Sequence, residues 1–151
     1  MVVLLDTGIL LRLVDRTDTL HRSVRAAVRA IKARGDSLST TAQNIAEFWN
    51  VCTRPATARG GLGLSTAETE RRLRLLERIV RIVPDSAAAY PIWRNLVAAL
   101  GIQGVQVHDA RLVALMQVHA VTHILTLNTA DFSRYSGITA MDPTSAVSAT
   151  P

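Results

Sequence analysis

The hydrophobic and polar positions along the chain form short apolar runs separated by longer stretches with helical periodicity. The first apolar run covers residues 2–5 and stops at Asp6, Thr7 and Gly8. A continuous apolar run bounded by turn residues is typical of a strand buried on both faces of a parallel sheet. Residues 123–127 form a second such run. Weaker strand candidates lie at 37–40, 81–83 and 137–141.

Helical periodicity fills most of the chain between these runs. Residues 21–34 place four apolar side chains on one face and arginines mostly opposite, while residues 109–119 are apolar on nearly every side, as in a buried helix. In the stretch 86–100, the spacing predicts a core-facing stripe of Tyr90, Trp93, Leu96, Val97 and Leu100. The other predicted helices cover 9–14, 41–54 and 65–80, with a short one in the turn at 128–132.

Strands that alternate with helices predict an α/β fold, in which right-handed crossovers build a central parallel sheet. The chain has 151 residues, of which 48% are hydrophobic and 19% charged, as expected for one globular domain. We place that domain at residues 1–143. Residues 144–151 are polar and rich in Pro, Ser, Thr and Ala, so we expect a frayed, flexible C-terminal tail.

The charge is basic and is carried by arginine. The formal net charge is +5, and Lys32 is the only lysine. Arginine binds phosphate through a planar fork, which favours a nucleic acid as partner, although scattered arginines also keep an apolar domain in solution. A cluster at 71, 72, 74 and 78 is better interpreted as a solvated helix face than as an RNA track. The single cysteine, Cys52, and the absence of a signal peptide or membrane span predict a cytoplasmic protein without a membrane partner.

Four carboxylates are expected to meet at one edge of the sheet. Asp6 follows the first strand and Asp131 lies in the turn after the strand 123–127. Asp109 begins a helix, and Glu47 lies in the first turns of another. Because helices in this architecture begin near the edge where parallel strands end, the four side chains should converge.

Converging carboxylates indicate a metal site. Like charges held together repel, and a hard divalent cation relieves that repulsion. An all-oxygen ligand set without clustered His or Cys selects Mg²⁺ or Mn²⁺, and these ions activate water to attack a phosphodiester. Taken singly, each acid has an ordinary structural explanation: Asp6 and Asp109 as helix caps, Glu47 as a half-exposed helix residue and Asp131 as a turn residue.

Taken together in chain order, the motifs around these acids resemble those of the PIN domain. The resemblance runs from residue 2 to about residue 143 and is closest to the VapC ribonuclease toxins of prokaryotic VapBC toxin–antitoxin modules. It implies a three-layer α/β/α fold around a parallel sheet and Mg²⁺- or Mn²⁺-dependent endoribonuclease activity on an RNA substrate. It also implies a homodimer and inhibition by a VapB-type antitoxin. The motifs are Leu5-Asp6-Thr7 with Ile9-Leu10, Glu47-Phe48-Trp49-Asn50-Val51, His108-Asp109-Ala110, and Thr126-x-Asn128-x-x-Asp131-Phe132.

The resemblance assigns roles to the acids. Asp6, Glu47 and Asp109 match the three family acids that hold the metal and its water. Asp131 matches the fourth acid. Many relatives have another acid or a polar residue where Asn128 stands, so it stays open whether Asp131 fills the fourth role, shares it with Asn128 or leaves it to Asn128.

Other positions border the implied site. Thr7 and Thr126 match hydroxyl positions beside the metal, and Arg111 is a candidate for holding phosphate. His108 is expected to be structural, because a metal-bound water needs no histidine base. Gly8 departs from the family pattern, in which Asn or Ser is frequent, and removes a polar side chain near the metal.

Two alternatives stay open at the level of sequence. A haloacid-dehalogenase-type phosphatase also places an aspartate after its first strand, but it needs a second aspartate where Gly8 stands and a nearby lysine, and only Lys32 is available. The other alternative is an RNA-binding protein that keeps the PIN fold with weak or no catalysis. Metal-dependent cleavage of RNA separates the nuclease from both.

Overall fold

The computed structural model describes residues 1–148 and contains one five-stranded sheet in which every pairing is parallel. The spatial order is β3-β2-β1-β4-β5. All five strands fall within or next to the predicted runs, so the predicted α/β architecture with a parallel sheet is confirmed. The strands are β1 Val2–Leu5, β2 Ser37–Thr41, β3 Arg81–Val83, β4 His123–Leu125 and β5 Thr139–Met141.

Strand β1 lies at the centre and separates two hydrophobic cores. Val3 and Leu5 point into one core, and Leu4 points into the other, because successive side chains of a strand face opposite sides of the sheet. All three side chains are fully buried. Burial on both faces is the reason why this strand has no polar position before Asp6.

Helices cover both faces of the sheet. Side chains of α1, α2, α3, α4 and α8 share the core of Val3 and Leu5, and those of α5, α6 and α7 share the core of Leu4. Within residues 1–148, none of these helices is long and apolar enough to cross a bilayer. The helices are α1 Thr7–Val14, α2 His21–Ala33, α3 Ala42–Thr53, α4 Thr66–Glu77, α5 Ala89–Ala99, α6 Gln106–Val118, α7 Thr129–Phe132 and α8 Pro143–Ser148.

Helix α6 is the buried helix that the sequence predicts, but it starts earlier. It begins at Gln106, so Asp109 lies in its first turn instead of opening it. The residue before the helix, Val105, makes no side-chain capping hydrogen bond. Without a polar cap, nothing in the local sequence marks this helix start.

Helix α5 corrects part of the predicted core. Tyr90 and Leu100 were predicted to face the core, but they are 64% and 41% exposed. Trp93, Leu96 and Val97 are partly buried, as predicted. The helix packs mainly against α6, beside the edge strand β3, so only a narrow stripe of its apolar side chains is covered.

The C-terminal segment differs from the predicted frayed tail. Residues 143–148 form α8, which packs on α2 and buries Ala146. Asp142 Oδ1 accepts hydrogen bonds from the backbone N–H groups of Thr144 and Ser145, and Pro143 occupies the first helical position. An Asp followed by Pro is a helix-start signal. The rest of the predicted tail, residues 149–151, lies outside the described residues.

Candidate active site at the carboxyl edge of the sheet

Three neighbouring strands, β2, β1 and β4, deliver the polar residues of the site. Asp6 follows β1, caps the N-terminus of α1, and donates its backbone N–H to Leu125 O in β4 at 3.1 Å. Thr41 ends β2 and caps α3, the helix that carries Glu47. Because parallel strands end at a common edge, these groups become neighbours despite their separation in sequence.

Both oxygens of the Asp6 carboxylate are held by hydrogen bonds. Oδ1 accepts from Thr7 N–H at 2.7 Å and from Asn44 Nδ2 at 3.3 Å, and Oδ2 accepts from Thr126 Oγ1 at 2.7 Å. Asp6 is therefore both a helix cap and a member of a larger polar cluster, so its two sequence interpretations are compatible.

A chain of hydrogen bonds connects Asp6 to Glu47. Asn44 Nδ2, which contacts Asp6, also donates to Thr7 Oγ1 at 3.1 Å. Thr7 Oγ1 in turn donates to Glu47 Oε2 at 2.7 Å, and Gln43 Nε2 donates to Glu47 Oε1 at 3.1 Å. The Asn44 amide and the Thr7 hydroxyl thus link the positions of the two carboxylates.

Asn44 is the central residue that the sequence analysis missed. Its side chain is fully buried and also accepts a hydrogen bond from the Thr41 hydroxyl. A signal was present, because positions 44, 48 and 52 lie on one face of α3, and Phe48 and Cys52 belong to the core. An asparagine on a buried helical stripe needs polar partners, which here are the site's own carboxylate and hydroxyl.

Asp109 and Asp131 complete the set of four acids. Each lies in the first turn of its helix, α6 and α7, and each is partly exposed. Within residues 1–148, neither carboxylate accepts a hydrogen bond or pairs with a cation. Their oxygens are therefore free for another ligand.

The four carboxylates lie close enough for their charges to affect one another's ionisation. Burial, together with the charges of Asp131, Asp6 and Glu47 in that order, raises the pKa of Asp109 from 3.8 to about 6, against an opposing effect of His108. Burial also raises the pKa of Asp6. The hydrogen bonds from Thr126 and Thr7 oppose that rise, while Glu47 and Asp131 add to it. The structure thus places the four acids within range of one another's charges, and their convergence on a single site stays a prediction.

The donor set suits a hard divalent cation. All four groups are carboxylates, and an all-oxygen set is the one that Mg²⁺ and Mn²⁺ prefer. As positioned, however, no three acidic, histidine or cysteine side chains within residues 1–148 form a group that could hold a metal. Metal binding therefore requires these side chains to turn towards a common point.

Asn128 and Arg111 stand apart from the acids. Asn128 is exposed, makes no side-chain capping bond, and donates its backbone N–H to Thr126 Oγ1 at 3.1 Å. Arg111 donates to Gln43 Oε1 at 2.8 Å and pairs with Asp85 at 3.4 Å. It reaches the acid cluster only through Gln43, which the sequence analysis did not single out as a site residue.

Gly8 and His108 lie at the border of the site. Gly8 is the second residue of α1, and a Cβ there would meet Leu127 Cδ1 at 3.6 Å, which is ordinary van der Waals contact. The methyl group of an alanine therefore fits at this position. His108 contributes its backbone carbonyl, which accepts from Gln43 Nε2 at 3.1 Å.

The arginines of α4 form ion pairs with glutamates of their own helix and not with residues of the site. Arg71 and Arg72 both pair with Glu68, and Arg74 pairs with Glu70, all on the same helix. Intrahelical ion pairs of this kind are typical of a solvated face, in agreement with our interpretation of the sequence.

Comparison with known proteins gives one family and several related structures. The sequence model of the PIN domain matches residues 3–138. No curated protein sequence matches the chain.

The related structures share the fold at low sequence identity. VapBC2 from Rickettsia felis, bound to a DNA fragment from its promoter, is 14% identical, with 94% of this chain and 98% of that chain covered and a TM-score of 0.69. VapBC-1 from nontypeable Haemophilus influenzae is 18% identical, with 95% and 99% covered and a TM-score of 0.64. The sarcin-ricin loop cleaving toxin VapC20 from Mycobacterium tuberculosis is 18% identical, with 81% and 86% covered and a TM-score of 0.56.

Proposed function

Because this chain belongs to the PIN-domain family, we propose that it is a metal-dependent endoribonuclease and the toxin of a VapBC-type toxin–antitoxin pair. The observation that carries the proposal is the cluster of Asp6, Glu47, Asp109 and Asp131 at the carboxyl edge of the sheet. The similarity to VapBC complexes and to a toxin that cleaves the sarcin-ricin loop supports the choice of RNA as substrate.

Asp6, Glu47 and Asp109 would hold Mg²⁺ or Mn²⁺, and Asp131 would supply the fourth acid, with Asn128 as the alternative. When bound, the ion supplies an activated water and neutralises charge on the phosphodiester. An ionised carboxylate has about four acceptor positions, so Asp6 and Glu47 keep free lone pairs beside the hydrogen bonds that they already accept.

The neighbouring side chains fix the acids for this task. Thr126, Thr7 and Asn44 donate to the Asp6 carboxylate or to the chain that leads to Glu47. Hydrogen bonds to a carboxylate favour its charged form, the form that binds a cation. Asp109, with a pKa of about 6, is ionised at neutral pH and protonated in mild acid.

The basic charge of the chain supports RNA binding. The net charge is +5, and the side chain of Gln43 links Arg111 to Glu47 by hydrogen bonds. We propose that Arg111 contacts a phosphate of the RNA, because its side chain is 48% exposed and reaches towards the site edge.

The proposal includes two protein partners and a cytoplasmic location. A second copy would form a homodimer, and a VapB-type antitoxin would inhibit the nuclease. An arginine or lysine of the antitoxin placed among the four acids would neutralise their repulsion as a metal does, since a guanidinium pairs with carboxylates in a buried setting.

A second candidate is a PIN-fold RNA-binding protein with weak catalysis. Two observations favour it. Within residues 1–148, no three acidic, histidine or cysteine side chains are arranged so that they could hold a metal, and Gly8 stands where a polar residue is frequent in the family. The phosphatase alternative is dropped, because the match to the PIN domain spans residues 3–138.

The test is RNA cleavage with and without divalent metal. The natural chain should cleave RNA only with Mg²⁺ or Mn²⁺, and Asp6→Asn or Asp109→Asn should abolish cleavage. Glu77→Gln is the charge-matched control, because Glu77 is exposed on α4 and outside the site. Folded natural protein that binds RNA but does not cleave it under any metal condition would favour the second candidate.

A further inference from the structure

A cleft outside the acid cluster opens at the same edge of the sheet. It has a volume of about 490 Å³ and lies between the loop after β3 and helix α6. That volume is in the range of small-ligand sites. The residues that give it its chemistry are Asp85, Ser86, Tyr90, Trp93, Arg111 and Leu115.

The position of the cleft follows from the strand order. Asp6 follows β1, Asp131 follows β4, Gln43 and Glu47 follow β2, and Asp85 follows β3. Neighbouring strands are ~4.8 Å apart, so the β3 end lies about 10 Å from the β1 end along one edge. An extended strand of RNA at the acids would pass the cleft with its next nucleotides.

A continuous set of contacts connects the cleft to the acids. Arg111 Nη2 pairs with Asp85 Oδ1 at 3.4 Å inside the cleft, and Nη1 donates to Gln43 Oε1 at 2.8 Å. Gln43 Nε2 donates to Glu47 Oε1 at 3.1 Å. Arg111 therefore stands between the two regions, where it can contact a phosphate that joins a nucleotide in each.

The cleft wall offers an aromatic surface. Trp93 Nε1 donates to Val107 O at 2.9 Å, which fixes the indole against α6. The Tyr90 ring lies 6.0 Å from the Trp93 ring at an angle of 33°, and Tyr90 is 64% exposed. An exposed ring held by a fixed neighbour is a platform on which a nucleobase can stack.

Hydrogen-bonding groups lie beside this platform. Asp85 uses one carboxylate oxygen for Arg111 and leaves the other free within residues 1–148. Ser86 Oγ accepts from Ala88 N–H at 3.2 Å and retains its own proton as a donor. A carboxylate accepts from the exocyclic amino groups of cytosine, adenine and guanine, whereas uracil offers it only the ring N3–H, so we expect weaker binding of uracil.

We propose that this cleft is a nucleobase subsite that binds a base next to the phosphodiester that is cleaved. The proposal rests on the proposed nuclease function for its biological meaning. Tyr90 provides the stacking surface, Asp85 favours bases that carry an amino group, and Arg111 binds the connecting phosphate. A purely protein partner would not require an aromatic platform, a free carboxylate and a cation in line with the acid cluster.

The experiment measures base binding without catalysis. In the Trp49→Phe variant, Trp93 is the only tryptophan, so its fluorescence reports on the cleft. The probes are the four nucleoside 5′-monophosphates, titrated in metal-free buffer, with ribose 5-phosphate as the probe that lacks a base. Calorimetric titration of the natural chain gives the same information if Trp49→Phe does not fold.

We expect saturable binding of cytidine, adenosine and guanosine monophosphate, weaker binding of uridine monophosphate and none of ribose 5-phosphate. Tyr90→Ala should weaken binding about 5- to 150-fold, the usual effect of removing one stacking ring, and Tyr90→Phe should retain it. Asp85→Asn should reduce the difference in affinity between uridine monophosphate and the other three nucleotides. Leu75→Ala is the matched control, since Leu75 is 53% exposed on α4, away from the cleft.

Three results of the binding and sedimentation measurements would overturn the subsite. They are equal binding of ribose 5-phosphate, unchanged binding by folded Tyr90→Ala, and a Tyr90→Ala protein that changes from dimer to monomer in sedimentation, which would identify the cleft as an interface between copies.

RNA cleavage distinguishes this proposal from the proposed function. Base binding without any cleavage supports the subsite and contradicts the nuclease, whereas cleavage that is unchanged by an abasic nucleotide on either side of the cut contradicts the subsite alone.

Discussion

The hydroxyl of Thr126 donates a 2.7 Å hydrogen bond to Oδ2 of Asp6, and so joins the carboxyl ends of β4 and β1 across 120 residues of sequence. The same hydroxyl accepts from Asn128 N–H at 3.1 Å. Its bond to Asp6 lowers the pKa of that carboxyl and works against the effect of burial. Thr126 thus helps to keep Asp6 charged.

The first prediction is that Thr126→Val weakens metal binding. Loss of the hydroxyl should raise the pKa of Asp6 further and lower the affinity for Mg²⁺ or Mn²⁺ by ~10- to 100-fold, as is usual when a supporting hydrogen bond to a ligand is removed. Metal titration followed by cleavage rate measures the effect. Thr144→Val, an exposed change on α8, is the control, and equal losses in both variants would contradict the prediction.

The second prediction concerns Asn44. Asn44→Ala should destabilise the protein by ~1–3 kcal/mol, because the buried Thr41 hydroxyl loses its acceptor and the Asp6 carboxylate and Thr7 hydroxyl each lose a donor. Urea unfolding measures the change in the free energy of unfolding. Asn50→Ala, at an exposed position of the same helix, should change it by less than about 0.5 kcal/mol. A similar small effect for Asn44→Ala would show that the polar chain to Glu47 contributes little to stability.

The third prediction is that Asp109→Asn stabilises the metal-free protein. The variant removes a charge that burial disfavours and that three neighbouring carboxylates repel. A pKa of about 6 instead of 3.8 corresponds to at most about 3 kcal/mol at neutral pH, and screening at this partly exposed position reduces it to about 1 kcal/mol.

The melting temperature measures this effect. Without metal, Asp109→Asn should melt about 2–4 °C higher than the natural chain. Added Mg²⁺ or Mn²⁺ should raise the melting temperature of the natural chain more than that of the variant, because a ligand stabilises the state that binds it. Equal shifts in both proteins would remove Asp109 from the metal site.

The fourth prediction is a decline in the stability of the metal-free protein as the pH rises from about 4.5 to 6. Asp109 and Asp6 have raised pKa values in the folded state, so their contribution to stability is complete below pH 3.8 and is lost as pH rises through the folded pKa, about 6 for Asp109. Asp15, Asp36 and Glu68 have lowered pKa values and act in the opposite sense, since their contribution is lost in stronger acid.

Denaturant unfolding across pH 4–8 measures this profile. Stability should be greatest near pH 4.5, where the contribution of Asp15, Asp36 and Glu68 is nearly complete and that of Asp109 has only begun to be lost. In Asp109→Asn the decline from about pH 4.5 to 6 should be shallower, because residue 109 no longer titrates. A profile that is identical in the two proteins would contradict the assignment of the decline to Asp109.

The fifth prediction is that RNA binding depends steeply on salt and more on Arg111 than on the helix α4 cluster. Each phosphate contact on a single strand should contribute a log–log slope of about −0.7. Arg111→Gln should therefore reduce the slope by about that amount. Arg71→Gln with Arg74→Gln is the comparison, since both arginines already pair with glutamates of their own helix. A larger loss from that pair would make α4 the RNA track.

The apolar run of β1 was predictable because a strand buried on both faces admits no polar residue until the chain reaches the sheet edge. The same reasoning located Asp6, and the alternation of strands with helices brought Glu47, Asp109 and Asp131 to that edge. Each of these inferences depends on the local hydrophobic pattern and on the order of strands and helices along the chain, to which the general right-handedness of parallel crossovers is applied.

The helix at 143–148 was also marked in the sequence, by Asp142 followed by Pro143. The composition of the tail masked that signal, because small polar residues are common both in tails and in short helices. Its stability comes from packing on α2, and no local pattern contains that contact.

The sequence by itself determined the order of the strands and helices, the buried centre of the sheet and the four acids at its edge. Only the tertiary structure decided that Asn44 connects Asp6 to Glu47 through Thr7, that Arg111 reaches Gln43 and Asp85, and that Tyr90 faces the cleft instead of the core. The physical reason is that periodicity fixes which face of an element is apolar, whereas a side chain's partners depend on which other elements pack beside it.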